Sequence, residues 1–184
     1  MRVGVDLDGV VADFNQGWTR RYNRDFGASL HGSDVQKWDA PVDLTHFGAM
    51  ADFWSWAATC GEGRSLFRWL DPYPGAIEAL HQLRASAHKV VILTTKPSFA
   101  ISDTYAWLSD QGILSTEVHI LDHKPDVACD VYIDDADHNV EALTRLRPES
   151  TVLRYVRPWN SPVPGAIDVN SWPDILHFLH VTSG

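Results

Sequence analysis

Cysteine is scarce in this chain: two in 184 residues, Cys60 and Cys129. They lie far apart and fit no metal or redox spacing, which argues against a disulfide framework like those that hold small secreted domains together. Reduced structural thiols in a cytoplasmic protein are the expectation. Long hydrophobic runs are missing too. No stretch approaches the roughly 20 apolar residues that span a bilayer. No basic segment leads into an apolar one at the start, so no secretory signal is expected and no membrane partner. Positive charge is in deficit: 15 Lys and Arg stand against 24 Asp and Glu, a formal net charge of −9. With no basic run to release counterions, binding of long nucleic acid through its phosphates is not expected. A small phosphate ester held locally remains compatible with that charge. Internal repeats and low-complexity tracts are absent.

What is present is an ordinary globular composition, 45% apolar and 21% charged. The length allows one sizeable core, or a core with a small inserted domain. The stretch that organises the rest is Val3-Gly4-Val5-Asp6-Leu7-Asp8-Gly9-Val10-Val11. Its β-branched start reads as a buried strand. The strand runs into two acids one residue apart, then a glycine suited to a tight turn. Alternation along an extended chain puts Asp6 and Asp8 on one side. Carboxylates that close repel unless a cation or a shared proton lies between them.

Residues 15–71 change character and are rich in Trp, Phe, His and Gly. Helices are expected over Asn15–Tyr22, over Asp43–Ala58 with its 3-and-4 apolar spacing, and over Ser65–Leu70. This block reads as a small, mainly helical cap inserted after the first strand. Residues 1–14 and 72–184 form the core domain. Asp71-Pro72-Tyr73-Pro74-Gly75 is the stiff connector back. The pattern then alternates. Helix Gly75–Ala87 precedes strand Lys89–Leu93. Helix Ser98–Gln111, with Ser98 as cap, precedes strand Glu117–Leu121. Strand Asp130–Ile133 precedes helix His138–Leu146. Strand Thr151–Val156, a Pro-rich loop over Arg157–Gly165 and a last helix Ser171–His180 complete the chain. Such alternation predicts an α/β protein, a Rossmann-like parallel sheet with helices on both faces.

Ligands of parallel sheets sit beyond the carboxyl ends of the strands. The residues there are Asp6 and Asp8, then Thr94 and Thr95, then Lys124, then Asp134 and Asp135. Four carboxylates at one edge call for a counter-charge, and oxygen ligands of this kind suit a hard cation such as Mg²⁺. Asp6 is placed as a nucleophile toward phosphorus. Asp8 is placed as the acid that protonates the leaving oxygen and later the base toward water. Thr94, Thr95 and Lys124 supply hydrogen bonds and charge for phosphate.

This order of motifs, D-x-D-G-V, a strand ending in Thr, a Lys, then D-D, resembles the haloacid dehalogenase superfamily of phosphotransferases along the whole chain. The resemblance implies Asp6 as nucleophile and Asp8 as acid/base. It implies phosphate contacts at Thr94 and Lys124, and metal ligation by Asp6, the Asp8 carbonyl and Asp134. Asp135 then stands beside the metal or holds one of its waters. A finer similarity, to the 5'(3')-deoxyribonucleotidases, rests on Asp6–Phe14, Pro72–Ala76 and Tyr105-Ala106-Trp107. It implies a Mg²⁺-dependent hydrolase of (deoxy)nucleoside monophosphates whose base is held by cap aromatics, here Phe14, Trp38 and Phe67. Three positions depart from that family: Lys96 precedes the proline of the second motif, Thr104 replaces a lysine before Tyr105, and Lys37 replaces an aromatic. Lys96 is expected to restore the positive charge near the phosphate. The alternatives are a phosphatase of another small ester, such as a sugar phosphate, and an inactive binding module. The oligomeric state stays open, a homodimer included.

Overall fold

Val90 and Ile92 pack into one apolar cluster, and Val91 and Leu93 into another. That split is the signature of a strand buried on both faces. The computed structural model, which describes residues 1–113, 115 and 117–180, places this strand inside a six-stranded sheet. The strands are β1 (Arg2–Val5), β2 (Lys89–Thr94), β3 (Glu117–Ile120), β4 (Val131–Asp134), β5 (Thr151–Tyr155) and β6 (Ile167–Val169). Their order is β3-β2-β1-β4-β5-β6, and every pairing is parallel. The central strand β1 sets Val5 beside Ile92 and Ile133, so the ends of β1, β2 and β4 emerge together. Gly4 is required there, because a Cβ would press on Leu93, Cys129 and Tyr132 of the second cluster.

Helices close both faces. The sequence between β1 and β2 supplies α1 (Phe14–Phe26), α2 (Ala40–Leu44), α3 (Met50–Ala57) and α4 (Ala76–Ala85). After β2 come α5 (Ile101–Asp110), α6 (Asp137–Leu146) and α7 (Trp172–Phe178). Leu80 and Leu83 of α4 join Trp172 and Ile175 of α7 in the first cluster, while Val140 and Leu143 of α6 fill the second. This is the expected α/β sheet with helices on both faces. Residues 14–70 add no strand to it. The stems of that insertion are tied together, since the Asp13 amide donates to the Asp71 carbonyl and the Tyr73 amide to the Val11 carbonyl, both at 2.8 Å.

Several boundaries differ from the sequence expectation for identifiable reasons. The helix expected over Asp43–Ala58 is two helices. Thr45 breaks it, its hydroxyl donating to the Pro41 carbonyl and accepting from the Phe47 amide. Helix α1 runs a turn beyond Tyr22 and stops at Gly27, which adopts the left-handed conformation at φ 67°. Ser98 makes no capping bond. It opens a 3₁₀ turn, Ser98–Ala100, that leads into α5. Over Ser65–Leu70 only the 3₁₀ turn Leu66–Arg68 forms. Strand β6 was not expected at all. It is three residues long at the sheet edge, Ile167-Asp168-Val169, too short for its alternation to register as a strand.

Candidate active site

The β1 strand ends at Val5, but the Asp6 amide still donates to Ile133 at 3.0 Å. Beyond it the chain folds back at once. The Leu7 carbonyl accepts from the amides of Val10, Val11 and Ala12. Gly9 sits inside this turn at φ +79°, a conformation that costs an L-residue strain. A methyl on Gly9 would also overlap the Asp135 carboxylate. Gly9→Ala is therefore expected to cost about 1–3 kcal/mol from the backbone alone, and more from displacing Asp135. Thermal unfolding checks the first effect. A variant as stable as the parent would show that the turn adapts.

The buried core of the site is a lysine among acids. The Lys124 ammonium lies 2.9 Å from Asp6 Oδ1 and 2.5 Å from Asp134 Oδ2. Lys124, Asp6, Asp134 and Asp135 are each 7% exposed or less. Asp134 Oδ1 accepts from the Ala136 amide at 3.0 Å and the Asn139 amide group at 3.2 Å. Burial pushes the Asp6 carboxyl up to about 6, against the pull of Lys124 and with the repulsion of Asp134 and Asp8 adding to it. Burial also raises Asp135 well above the carboxylate range, reinforced by the charges of Asp6 and Asp134. For Lys124, burial favours the neutral amine, but Asp134 and Asp6 outweigh it and hold the ammonium above its ordinary value.

Asp8 faces a second lysine. The Lys96 ammonium pairs with Asp8 Oδ2 and lies 4.3 Å from the centre of the Phe67 ring. Asp8 Oδ1 is buried without a partner. The other second-motif residues divide. The Thr94 hydroxyl is buried and unpartnered. Thr95 donates its hydroxyl to the Leu121 carbonyl at 2.8 Å, which leaves Thr94 as the free hydroxyl donor of the pair. Thr104 lies near Lys96, and its hydroxyl is also buried and unpartnered.

One carboxylate oxygen each from Asp6, Asp134 and Asp135 lie within 4.8 Å of one another. The Asp8 side chain is not in this group, so any part it plays there falls to its carbonyl. Asp135 Oδ1 is buried without a partner. With all four carboxylates ionised, two ammonium groups leave two negative charges uncompensated, a repulsion that contributes to the raised values of Asp6 and Asp135. Hard oxygen donors, an orphaned buried oxygen and a double negative charge all fit a divalent cation.

Beside this centre is a cavity of about 260 Å³ lined by Asp8, Asp135 and several aromatic rings. Phe14, Trp38 and Phe67 all line it. Phe14 and Phe67 stack at 5.5 Å, and Trp54 lies nearly parallel to Phe67, at 11°. Trp38 is half exposed at the rim, edge-on to Trp159 at 6.2 Å. Lys37 also lines the cavity and pairs with Asp43.

Sequence reasoning missed the loop after β5. The Arg157 side chain is held between the rings of Tyr73 and Tyr155, at 3.9 and 4.1 Å, and donates to the Gly9 carbonyl at 2.6 Å. Trp159 donates its indole N–H to Asp135 Oδ2 at 2.8 Å, and Asn160 donates to the Asp135 carbonyl at 2.7 Å. The only signal was a tryptophan and an asparagine within a stretch that otherwise reads as a Pro-rich loop.

A parallel sheet in this strand order, with acids and a lysine gathered at its carboxyl edge, is the haloacid dehalogenase-like fold. Solved structures share the fold. A HAD family hydrolase from Deinococcus radiodurans R1 covers 97% of this chain and 94% of its own at TM-score 0.60 and 15% identity. The L-2-haloacid dehalogenase from Xanthobacter autotrophicus covers 99% of each chain at TM-score 0.64 and 14% identity. The family model for "5' nucleotidase, deoxy (Pyrimidine), cytosolic type C protein" matches residues 1–183, and the chain belongs to that family. The human cytosolic-type 5'(3')-deoxyribonucleotidase is 29% identical over 143 residues, 74% of this chain and 71% of the human protein. The human mitochondrial 5'(3')-deoxyribonucleotidase is 26% identical over 146 residues, 69% of this chain and 64% of that protein.

Proposed function

We propose that this chain is a Mg²⁺-dependent phosphomonoesterase of (deoxy)nucleoside monophosphates that works through an aspartyl-phosphate on Asp6. Lys124 and Thr94 hold the phosphoryl oxygens. An Asp6 carboxylate oxygen attacks phosphorus, and the ester P–O bond breaks. Asp8 gives its proton to the departing alkoxide. In the second half, water attacks the aspartyl-phosphate, Asp8 takes a proton from it, and inorganic phosphate leaves with the Asp6 carboxylate restored. Asp6, Asp134 and the Asp8 carbonyl would hold the Mg²⁺, with Asp135 beside them. Bound there, the cation supplies positive charge for the phosphoryl oxygens. Residues 15–71 act as the cap. The compartment is the cytoplasm, where the free and buried Cys60 and Cys129 stay reduced.

The observation that carries the nucleotide reading is the lining of the cavity. It is lined by the acids Asp8 and Asp135 and by the aromatic rings of Phe14, Trp54 and Phe67. Stacking on aromatic faces is worth roughly 1–3 kcal/mol per base and tolerates any base. A sugar ring packs on such walls only through its C–H groups and has no π face to stack. In a panel of phosphomonoesters with Mg²⁺, deoxynucleoside monophosphates are expected to exceed sugar phosphates by about tenfold or more in kcat/KM. Chelation should abolish hydrolysis of every ester. A preference for sugar phosphates over all nucleotides would leave the chemistry standing and remove the substrate class.

A further inference from the structure

We infer that Trp159 is a positioning residue for Asp135, and that its indole N–H sets the affinity of the acidic cluster for its cation. The inference rests on the metal reading above. Asp135 has two carboxylate oxygens with opposite situations. Oδ2 accepts the Trp159 N–H at 2.8 Å and lies against Gly9, where not even a methyl would fit. Oδ1 is buried and has no partner. An indole nitrogen can only donate. Its bond therefore fixes which way the carboxylate is turned, and the free Oδ1 is the atom left to face the cation or one of its waters.

The backbone of Asp135 is held by the same loop. Asn160 donates to its carbonyl and also to that of Tyr155, at 2.7 and 2.8 Å. The Asn160 side-chain oxygen Oδ1 in turn accepts from the Arg157 backbone amide at 3.0 Å. The segment 157–160 thus grips Asp135 at both its main chain and its side chain. Trp159 also meets Trp38 of the insertion edge-on, and both rings line the cavity. The ring that orients the acid is at the same time a wall for the substrate.

Groups that orient a metal ligand from behind change metal affinity by about 10–100-fold when removed. Trp159→Phe keeps an aromatic ring in the cavity wall, smaller than the indole, and removes the N–H donor. Calorimetric titration of the full chain with MgCl₂, without substrate, reads the effect directly. The Kd for Mg²⁺ is expected to rise about tenfold or more. The fitted stoichiometry reports the folded fraction, so partial unfolding does not imitate weaker binding. A double-mutant cycle adds the readout that a merely structural role would not move. In an Asp135→Ala background, Trp159→Phe should have no further effect on the Kd, because its partner is gone. An unchanged Kd in Trp159→Phe, or an equal loss with and without Asp135, overturns the proposal while leaving the metal reading intact. A parent chain that binds no Mg²⁺ removes both.

Discussion

Asp6→Asn is expected to lower phosphatase turnover by about 10⁴-fold or more, the scale reached when a covalent nucleophile is removed. The amide nitrogen cannot form the acyl phosphate, and the remaining oxygen is a poor nucleophile. The fold should survive. Asparagine has the shape of aspartate, and its carbonyl oxygen still accepts from Lys124, which lies 2.9 Å from Asp6 Oδ1. Stability is expected to hold or rise. The substitution removes one of several like charges from a buried site in which burial and the charges of Asp134 and Asp8 already disfavour the ionised form of Asp6. Loss of activity with retained or increased stability is a pattern that a general folding defect cannot produce. Acid quenching during turnover of a ³²P-labelled ester supplies the second measurement. Label should stay on the parent chain and be absent from the variant. Turnover within tenfold of the parent, or label on Asp8, would reverse the roles assigned to the two acids.

The parts of this site that were legible in the sequence are those governed by local rules. Val3–Val5, Val90–Leu93 and Val131–Ile133 are short β-branched or aliphatic runs, and their period and length identify buried strands. A parallel sheet puts the residues after such runs at one edge, so Asp6, Thr94 and Asp134 could be placed together without coordinates. What was not legible depends on contacts between distant segments. Trp159 stands in a loop with no periodicity, and its function is defined only by the acid 24 residues earlier that accepts its N–H. The Lys96 charge was expected near the phosphate. The structure gives it a resting partner, Asp8, and an aromatic face, Phe67, that no spacing rule connects to it. Strand β6, Ile167-Asp168-Val169, alternates apolar and polar residues and buries only Val169, but three residues are too few for that alternation to stand out from a loop. The break between α2 and α3 turns on one threonine hydroxyl competing with the backbone for hydrogen bonds, an effect that helical spacing of apolar residues cannot register.

Lys124→Met is expected to cost about 3–5 kcal/mol of stability above neutral pH, the range found when one partner of a buried ion pair is removed. The side chain of Lys124 is only 2% exposed, and its ammonium touches both Asp6 and Asp134. Methionine fills similar volume, so lost packing contributes little and lost charge dominates. The deficit should depend on pH in a definite direction. In the parent chain burial raises the Asp6 carboxyl to about 6, while Lys124 pulls it down. Without that pull the folded-state value moves higher still, whereas the unfolded chain keeps the ordinary carboxylate value near 4. Between those two values the folded variant binds more protons than the unfolded one, so its stability falls as pH rises. Lowering the pH from 8 to 5 protonates the buried cluster and should recover much of the loss relative to the parent. Denaturant unfolding of both chains at the two pH values, in the presence of a chelator, measures it. Added Mg²⁺ at pH 8 should then stabilise the variant more than the parent, because the cation takes over the missing positive charge and binds only the folded cluster. A deficit that is equal at pH 5 and pH 8, or larger at pH 5, would mean that Lys124 is not the charge that keeps these carboxylates ionised, and the electrostatic account of the site would have to be rebuilt around Lys96.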